Sequence, residues 1–272
     1  MNYVIYQGSG GLIHMLGGLV YCIEYCKKYK HFLIIDVKNH SCFNQNFSDF
    51  FYLKDFNNYS EDYNMISNDI SCFKKISLEY ISKNNAIHRG NINGYWIKNI
   101  NVNCSLNSYE INKDRVKIYV GHGGNNRQNI VRYIGIKPEI LKQIKDNYNI
   151  ENEYIGVHFR NTDRVNNINN YINIINSYNN INTTVYLATD DYNAFDMISK
   201  SISHNKIIQF SKPYNNNGGP IHFSNVDKKE LVMNLLIDMY FLINSSIFVP
   251  SEDSLISKLV MYIRHTKKNI YV

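Results

Sequence analysis

Residues 154–164 read YIGVHFRNTDR. An apolar run, 154–159, ends abruptly in charge at Arg160, which is the pattern of a strand buried along its length and polar only at its carboxyl end. Working outward, 171–178 has helical spacing and 184–189 (TVYLAT) reads as a second strand. A helix is expected over 192–202 and a third short strand over 206–210. Residues 211–225 (SKPYNNNGGPIHFSN) carry Pro and Gly at both ends of an Asn run and read as a loop. Apolar residues at 231, 232, 235, 236, 239, 242 and 243 predict a long helix over 228–244. A fourth strand is expected at 247–249 and a last helix over 254–264. Strand and helix therefore alternate four times, which predicts an α/β fold with a parallel doubly wound sheet.

The N-terminal half begins in the same way. A strand is expected at 3–6, a tight Gly8–Gly11 loop next, and then a helix over 12–30 with a stripe of Leu12, Met15, Leu16, Leu19, Val20 and Ile23. Residues 32–37 (FLIIDV) form the next strand pattern. From 38 to 114 the pattern loosens, with a short strand near 95–97. Another strand is expected at 115–120, before the glycine-rich turn 121–124. Pro138 opens a helix, and the polar connector 149–153 suggests a boundary, with one domain over 1–149 and a second over 150–272. Two Rossmann-like domains facing across a cleft are the simplest architecture, with ligand at the carboxyl ends of the strands.

Composition narrows the function. The 272 residues are 44% hydrophobic and 19% charged, which supports a core and excludes wholesale disorder. With 14 Gly and 4 Pro, collagen-like repeats are excluded. The net charge of +6 suits a polyanionic small ligand. Lys and Arg are dispersed, so no nucleic acid is expected as partner. Asparagine makes up about 15% of the chain, far above the usual share, and with frequent Ile, Lys and Tyr it reads as an AT-rich codon bias. Cys22, Cys26, Cys42, Cys72 and Cys104 are odd in number and contain no CxxC, which suggests free thiols in a reducing compartment. Cys22 and Cys26 lie four apart on a helix but have no second Cys/His pair at zinc spacing, so they read as core thiols. No signal peptide is visible. The stretch 231–249 carries Asp238 and two Asn, so no membrane span is expected. The expected compartment is the cytoplasm.

Five places could carry chemistry. Arg160, at a strand end, can grip a pyrophosphate through paired hydrogen bonds without losing its charge. Asp163 could hold that Arg or meet a sugar hydroxyl, and a surface turn with a local ion pair fits the same spacing. Asp190 and Asp191 close the second strand, where they could hold Mg²⁺ or a ribose, or Asp191 could simply cap the next helix. Asp238 sits in an apolar helix, where a bare carboxylate is costly. The turn Pro250-Ser251-Glu252-Asp253-Ser254 opens the last helix, whose N–H groups and hydroxyls suit a phosphate, with capping by Asp253 or Ser254 as the alternative. Gly10 and Gly11, in the Gly8–Gly11 loop, suit a phosphate too. GSGG is neither GxGxxG nor Walker A, and tight helix–strand packing explains it equally. His14, His122 and His222 lie near glycine-rich turns without metal spacing and read as structural.

Taken in order, these motifs resemble the fucosyltransferase superfamily that includes α1,6-fucosyltransferases and protein O-fucosyltransferases. The run 155–164 (IGVHFRNTDR) looks like the first motif, 186–191 (YLATDD) like the second, and 238–258 (DMYFLINSSIFVPSEDSLISK) like the third. The N-terminal glycine loop, 19–22 and 32–36 are similar to the start of the α1,6 group, whereas 38–135 has no match. The resemblance implies a GT-B fold and fucose transfer from GDP-fucose, with inversion, to a glycan or sugar hydroxyl. It implies no cofactor and no essential metal. The second domain would bind GDP-fucose and the first would lie on the acceptor side.

Carried across by residue, Arg160 stands at the Arg that binds the β-phosphate, His158 and Asp238 at guanine-binding groups, and Ser254 at a phosphate-contacting Ser. Asp163, Asp190 and Asp191 match acids of the motifs. The resemblance thus assigns catalysis to Arg160 and Asp163. It assigns nucleotide-sugar binding to His158, Asp190, Asp191, Asp238, Ser251, Ser254, Gly10 and Gly11. Two departures stand out. The second of two adjacent Arg is here Asn161, and the position of an acceptor-activating Glu is here Ile168, which leaves the base unidentified and does not support an α1,6 core-glycan acceptor. An unanchored enzyme of a virus or microbe, in the host cytoplasm if viral, is the expectation. An α1,2-type acceptor, suggested by an HxRxxD-like motif followed by Tyr171, and an inactive nucleotide-sugar binder are the alternatives.

Overall fold

The computed structural model describes residues 1–8, 10–38, 40, 42–62, 95–97, 100–102, 116–119, 127–151, 153–161, 166–178, 184–202, 206–211, 226–266 and 270. Asp163, Cys72, Cys104, His122, His222 and the turn 121–124 lie outside these residues. The chain divides into two compact units, 1–137 with 270–272, and 138–269.

In the first unit, β1 (Tyr3–Tyr6) leads through a glycine loop into α1 (Leu12–Tyr29) and back to β2 (Phe32–Ile35). Then follow β3 (Phe51–Leu53), β4 (Tyr59–Ser60), β5 (Tyr95–Ile97), β6 (Ile100–Val102) and β7 (Val116–Tyr119). The unit ends with α2 (Arg127–Tyr133) and β8 (Ile134–Ile136). The main sheet has the order β4-β2-β1-β7, with every pairing parallel. β3 and β8 pair antiparallel, as do β5 and β6.

The expected stripe of α1 is buried, and so are Ile13, Gly17, Gly18, Cys22, Tyr25 and Cys26. That is wider than one face. Cys22 and Cys26 are free, buried thiols whose pKa values burial pushes up. The helix stops where Lys30 turns left-handed and its N–H returns to the Cys26 carbonyl, with Lys27 and Lys28 complementing the helix dipole. Gly8 has φ +65°, and a Cβ there would come within 2.9 Å of Met15 Cγ. The close packing of loop and helix therefore accounts for this glycine by itself. The segment that looked patternless buries Phe43, Phe47, Phe50 and Phe51 against one another. Near the end of the chain the Ile270 carbonyl accepts the Ile136 N–H at 2.9 Å, and Ile270 is buried.

The second unit starts with α3 (Pro138–Asn147), a helix expected to go with the first half. Its Ile144 is buried, and Tyr148, just beyond it, packs its ring 5.0 Å from that of Phe210. Next come β9 (Tyr154–Phe159), α4 (Ile168–Ser177), β10 (Thr184–Thr189), α5 (Ala194–Ser201) and β11 (Ile207–Ile208). The last elements are α6 (Lys228–Asn244), β12 (Ile247–Val249) and α7 (Leu255–Thr266). The order is β11-β10-β9-β12, all parallel. The strand order reverses between β9 and β12, the place where open α/β sheets bind ligands.

β9 is buried at all six positions. Ile155, Val157 and Phe159 pack with Tyr171 and Ile175 of α4 and Ala194 and Ile198 of α5. The alternate residues turn to α6 and α7. Tyr154 donates its hydroxyl to the Phe241 carbonyl at 2.9 Å, and Gly156 lies under the end of α6. Each fully buried aliphatic side chain here contributes about 1.5–3 kcal/mol. The end of α6 has neither a glycine cap nor a basic last turn. Instead Arg264 of α7 donates Nη1 to the carbonyls of Leu242, Ile243 and Ser245, satisfying acceptors that a helix end leaves open.

A Cβ on Gly156 would lie 2.7 Å from Ser245 Oγ and 3.3 Å from Leu242 Cδ2. Gly156→Ala is therefore expected to cost about 1–3 kcal/mol by overpacking, measured by urea denaturation. A change within about 0.5 kcal/mol, the range of surface substitutions, would mean that α6 yields freely.

Candidate functional site

The carboxyl ends of β9, β10 and β12 carry a polar network built on three sequence motifs. After β9, Arg160 places Nε 3.7 Å from Asp190 Oδ2, and both side chains are mostly buried. The other oxygen, Asp190 Oδ1, accepts the Asn161 N–H at 2.8 Å. Asn161 Nδ2 donates to Asp191 Oδ2 at 2.8 Å, and Asn161 Oδ1 accepts the Asn166 N–H at 3.0 Å. Asn166 Nδ2 donates to the Arg160 carbonyl and to Ser251 Oγ at 3.3 Å. The loop after β9 is thereby tied to both neighbouring strand ends.

These bonds decide between readings that the spacing left open. Asp191 Oδ1 accepts the Asn193 N–H at 2.9 Å, so the acid does fix the turn before α5. Its second oxygen holds Asn161. Asn161, where a second Arg was expected, has its main chain and both ends of its amide engaged. No group of three or more His, Cys, Asp or Glu suited to a metal ion occurs among the described residues.

At the start of α7, the Ser254 N–H closes a turn onto the Ser251 carbonyl at 3.1 Å. Ser254 is 1% exposed, and its Oγ has no hydrogen-bond partner. The Ser254 side chain therefore does not cap its own helix. Ser257 does the local work: its Oγ accepts the Ser251 N–H at 2.9 Å and lies 2.7 Å from His158 Nδ1. His158 is buried. Desolvation, with the charge of Arg160 behind it, lowers its pKa to about 3, so the ring is neutral at ordinary pH.

Asp238 projects from α6 on the same face of the sheet and accepts the Tyr186 hydroxyl at 2.7 Å. Desolvation raises its pKa to about 7, against the pull of the Tyr186 and Ser211 hydroxyls. The buried carboxylate thus has a partner that the sequence did not suggest. Tyr186 itself stacks on Phe241.

The structure gathers His158, Arg160, Asp190, Asp191, Asp238, Ser251 and Ser254 into the second unit. Gly10 and Gly11 belong to the first, where Gly10 has φ +75°, its carbonyl accepts the Cys42 thiol at 3.2 Å, and Gly11 precedes α1. Sequence reasoning missed Asn166, Tyr186 and Ser257. Only Ser257 left a signal, one helical turn from Ser254 and so on the same face of the first turn of α7.

The fold is one seen in fucosyltransferases. The chain is similar to NodZ, an α1,6-fucosyltransferase soaked with GDP-fucose, at 14% identity and a TM-score of 0.58, over 96% of this chain and 92% of that one; NodZ is from Bradyrhizobium. It is similar to a mutant of Arabidopsis thaliana FUT1 in complex with GDP, at 11% identity and TM-score 0.54, over 97% and 68%. It is also similar to POFUT1 in complex with GDP, at 9% identity and TM-score 0.51, over 95% and 93%. At these identities the likeness is one of fold. No family model matches the sequence, and no curated protein matches it. No helix among the described residues is long and apolar enough to cross a membrane.

The two buried ionisable groups bend stability in opposite directions. Between about pH 6.5 and 3 the unfolded chain protonates residue 158 and the folded chain does not, so His158 removes stability as pH falls. Asp238 keeps its proton up to about pH 7 when folded but only to 3.8 when unfolded. Its contribution is complete below 3.8 and is lost as pH rises to about 7. Moving from about pH 6.5 to 4.5, Asp238→Asn should lose more stability than wild type and His158→Gln less, by up to about 1.4 kcal/mol per pH unit. Urea titrations at the two pH values check this, and parallel behaviour of all three proteins contradicts it.

Proposed function

We propose that the chain is a GT-B-type glycosyltransferase that moves fucose from GDP-fucose to a sugar hydroxyl with inversion and without a metal ion. The observation that carries this reading is an anion site at the β9 and β12 ends. Arg160 is held there by Asp190, and the first turn of α7 presents the buried, unpartnered Ser254 hydroxyl. A helix N-terminus beside an Arg favours phosphate oxygens. Solved structures with a similar fold support the choice of nucleotide, since NodZ was soaked with GDP-fucose and POFUT1 crystallised with GDP.

The chemistry follows from charge. Breaking the bond between the fucose anomeric carbon and the phosphate oxygen leaves an oxocarbenium-like sugar and adds negative charge to GDP. Arg160 and the α7 N-terminus meet that charge as it develops. The acceptor hydroxyl attacks the anomeric carbon from the opposite face, its oxygen forms the new glycosidic bond, and its proton passes to a carboxylate or to water. Asp190 orients the guanidinium, Asp191 and Asn161 fix the loop that carries it, and His158 and Asp238 take the base. Asp163, Ser251, Gly10 and Gly11 complete the proposed residue set.

In a thermal-shift panel, GDP and GDP-fucose should raise the melting temperature and UDP, CMP and ADP sugars should not. Equal shifts with UDP sugars would overturn the donor assignment. Turnover should survive EDTA.

Arg160→Lys should lose roughly 10²–10³-fold in kcat, the scale of one preorganised electrostatic contact, because an ammonium cannot span two phosphate oxygens. GDP binding should fall less than turnover. Near-normal turnover in a folded Arg160→Lys protein would reduce the segment to a structural turn.

A further inference from the structure

A hydroxyl has a single proton to give, and the position of Ser257 leaves it one acceptor. Ser257 is fully buried at 0% exposure. Its Oγ already accepts the Ser251 N–H at 2.9 Å, and the remaining neighbour is His158 Nδ1 at 2.7 Å. If Nδ1 carried the ring hydrogen, Oγ would accept twice and its own proton would be stranded in the interior. A buried polar group left unpaired is rare and costly. The arrangement that satisfies both the Ser257 hydroxyl and Nδ1 has Ser257 donating to Nδ1, which puts the imidazole hydrogen on Nε2.

His158 stands on the face of β9 that turns to α6 and α7, the face that also carries the Asp238–Tyr186 pair. One group there is a fixed N–H donor and another is a carboxyl acceptor. That polarity fits a purine edge with a carbonyl oxygen beside an N–H, as in guanine. It opposes the amino group that adenine presents at the same place.

We propose that Ser257 is a positioning residue that sets the base selectivity of the nucleotide site by holding His158 in its Nε2–H form, as a donor to the base carbonyl. This rests on the guanine-nucleotide reading above. Ser257 touches no ligand and acts only through the ring.

The test has two separable parts. In the full chain with ¹⁵N-labelled histidine, the His158 signals, assigned by their loss in His158→Gln, should show a protonated Nε2 and a bare Nδ1. An Nδ1–H form overturns the proposal, and this measurement needs no ligand. Binding of GDP is then compared with that of 6-thioguanosine diphosphate, which keeps the N1–H and the 2-amino group and replaces the 6-oxygen by sulfur, a much weaker acceptor. Wild type should prefer GDP by about tenfold, the scale of one hydrogen bond, and Ser257→Ala should lose the preference along with the single tautomer. A Ser257→Ala protein that keeps the preference overturns the proposal, as does a wild type that binds both equally. If no guanine nucleotide binds while the Nε2–H form is found, the failure belongs to the functional reading and not to the tautomer.

Discussion

Strand β9 is covered on both faces, and the placement of polar groups in the second unit follows from that. Ile155, Val157 and Phe159 close against α4 and α5, and Tyr154 and Gly156 against α6. Along its length the strand has no room for an unpaired polar side chain, and its main chain is spent on β10 and β12. Only past Phe159 can the chain turn polar without desolvation cost. Arg160 and Asn161 appear there, and the ends of β10 and β12 are brought level with them by the parallel register. His158 is the exception, one residue inside the apolar run. It is tolerated because it is neutral and bonded to Ser257.

The alternation of strand and helix in 154–264 was legible because each element is amphipathic or wholly apolar, and period and length separate the two kinds. The helix 228–244 was read to its bounds, since Asp227 caps it and Ser245 ends it. The start of α3 at Pro138 was equally readable. The contact of Tyr148 with Phe210 was not, because it spans many residues and leaves no local trace. The aromatic cluster of Phe43, Phe47, Phe50 and Phe51 escaped for the same reason, because its order lies in ring contacts and not in a period. In the site, charged residues at strand ends announced themselves. The amides and hydroxyls that hold them did not, since Asn and Ser are common throughout this chain.

That composition has a physical use here. Asn161, Asn166 and Asn167 all make side-chain bonds in the loop after β9 or at the cap of α4. Amides offer a donor and an acceptor on one short side chain, so they bridge carbonyl, carboxylate and hydroxyl without adding charge. Among the described residues Asp190 pairs with Arg160, and the amides of Asn161 and Asn166 bond around it. Hydrogen bonds made by amides depend less on salt than exposed ion pairs do.

The bond between Ile270 and Ile136 carries a consequence for the order in which the chain can finish. One partner of Ile136 lies beyond the second unit, and the whole of that unit is inserted between the two. During synthesis the stretch 138–269 is fully translated before the first unit receives its closing residue. The first unit thus closes only after the second has been made, and its Ile136 N–H and the place of Ile270 wait through some 130 residues.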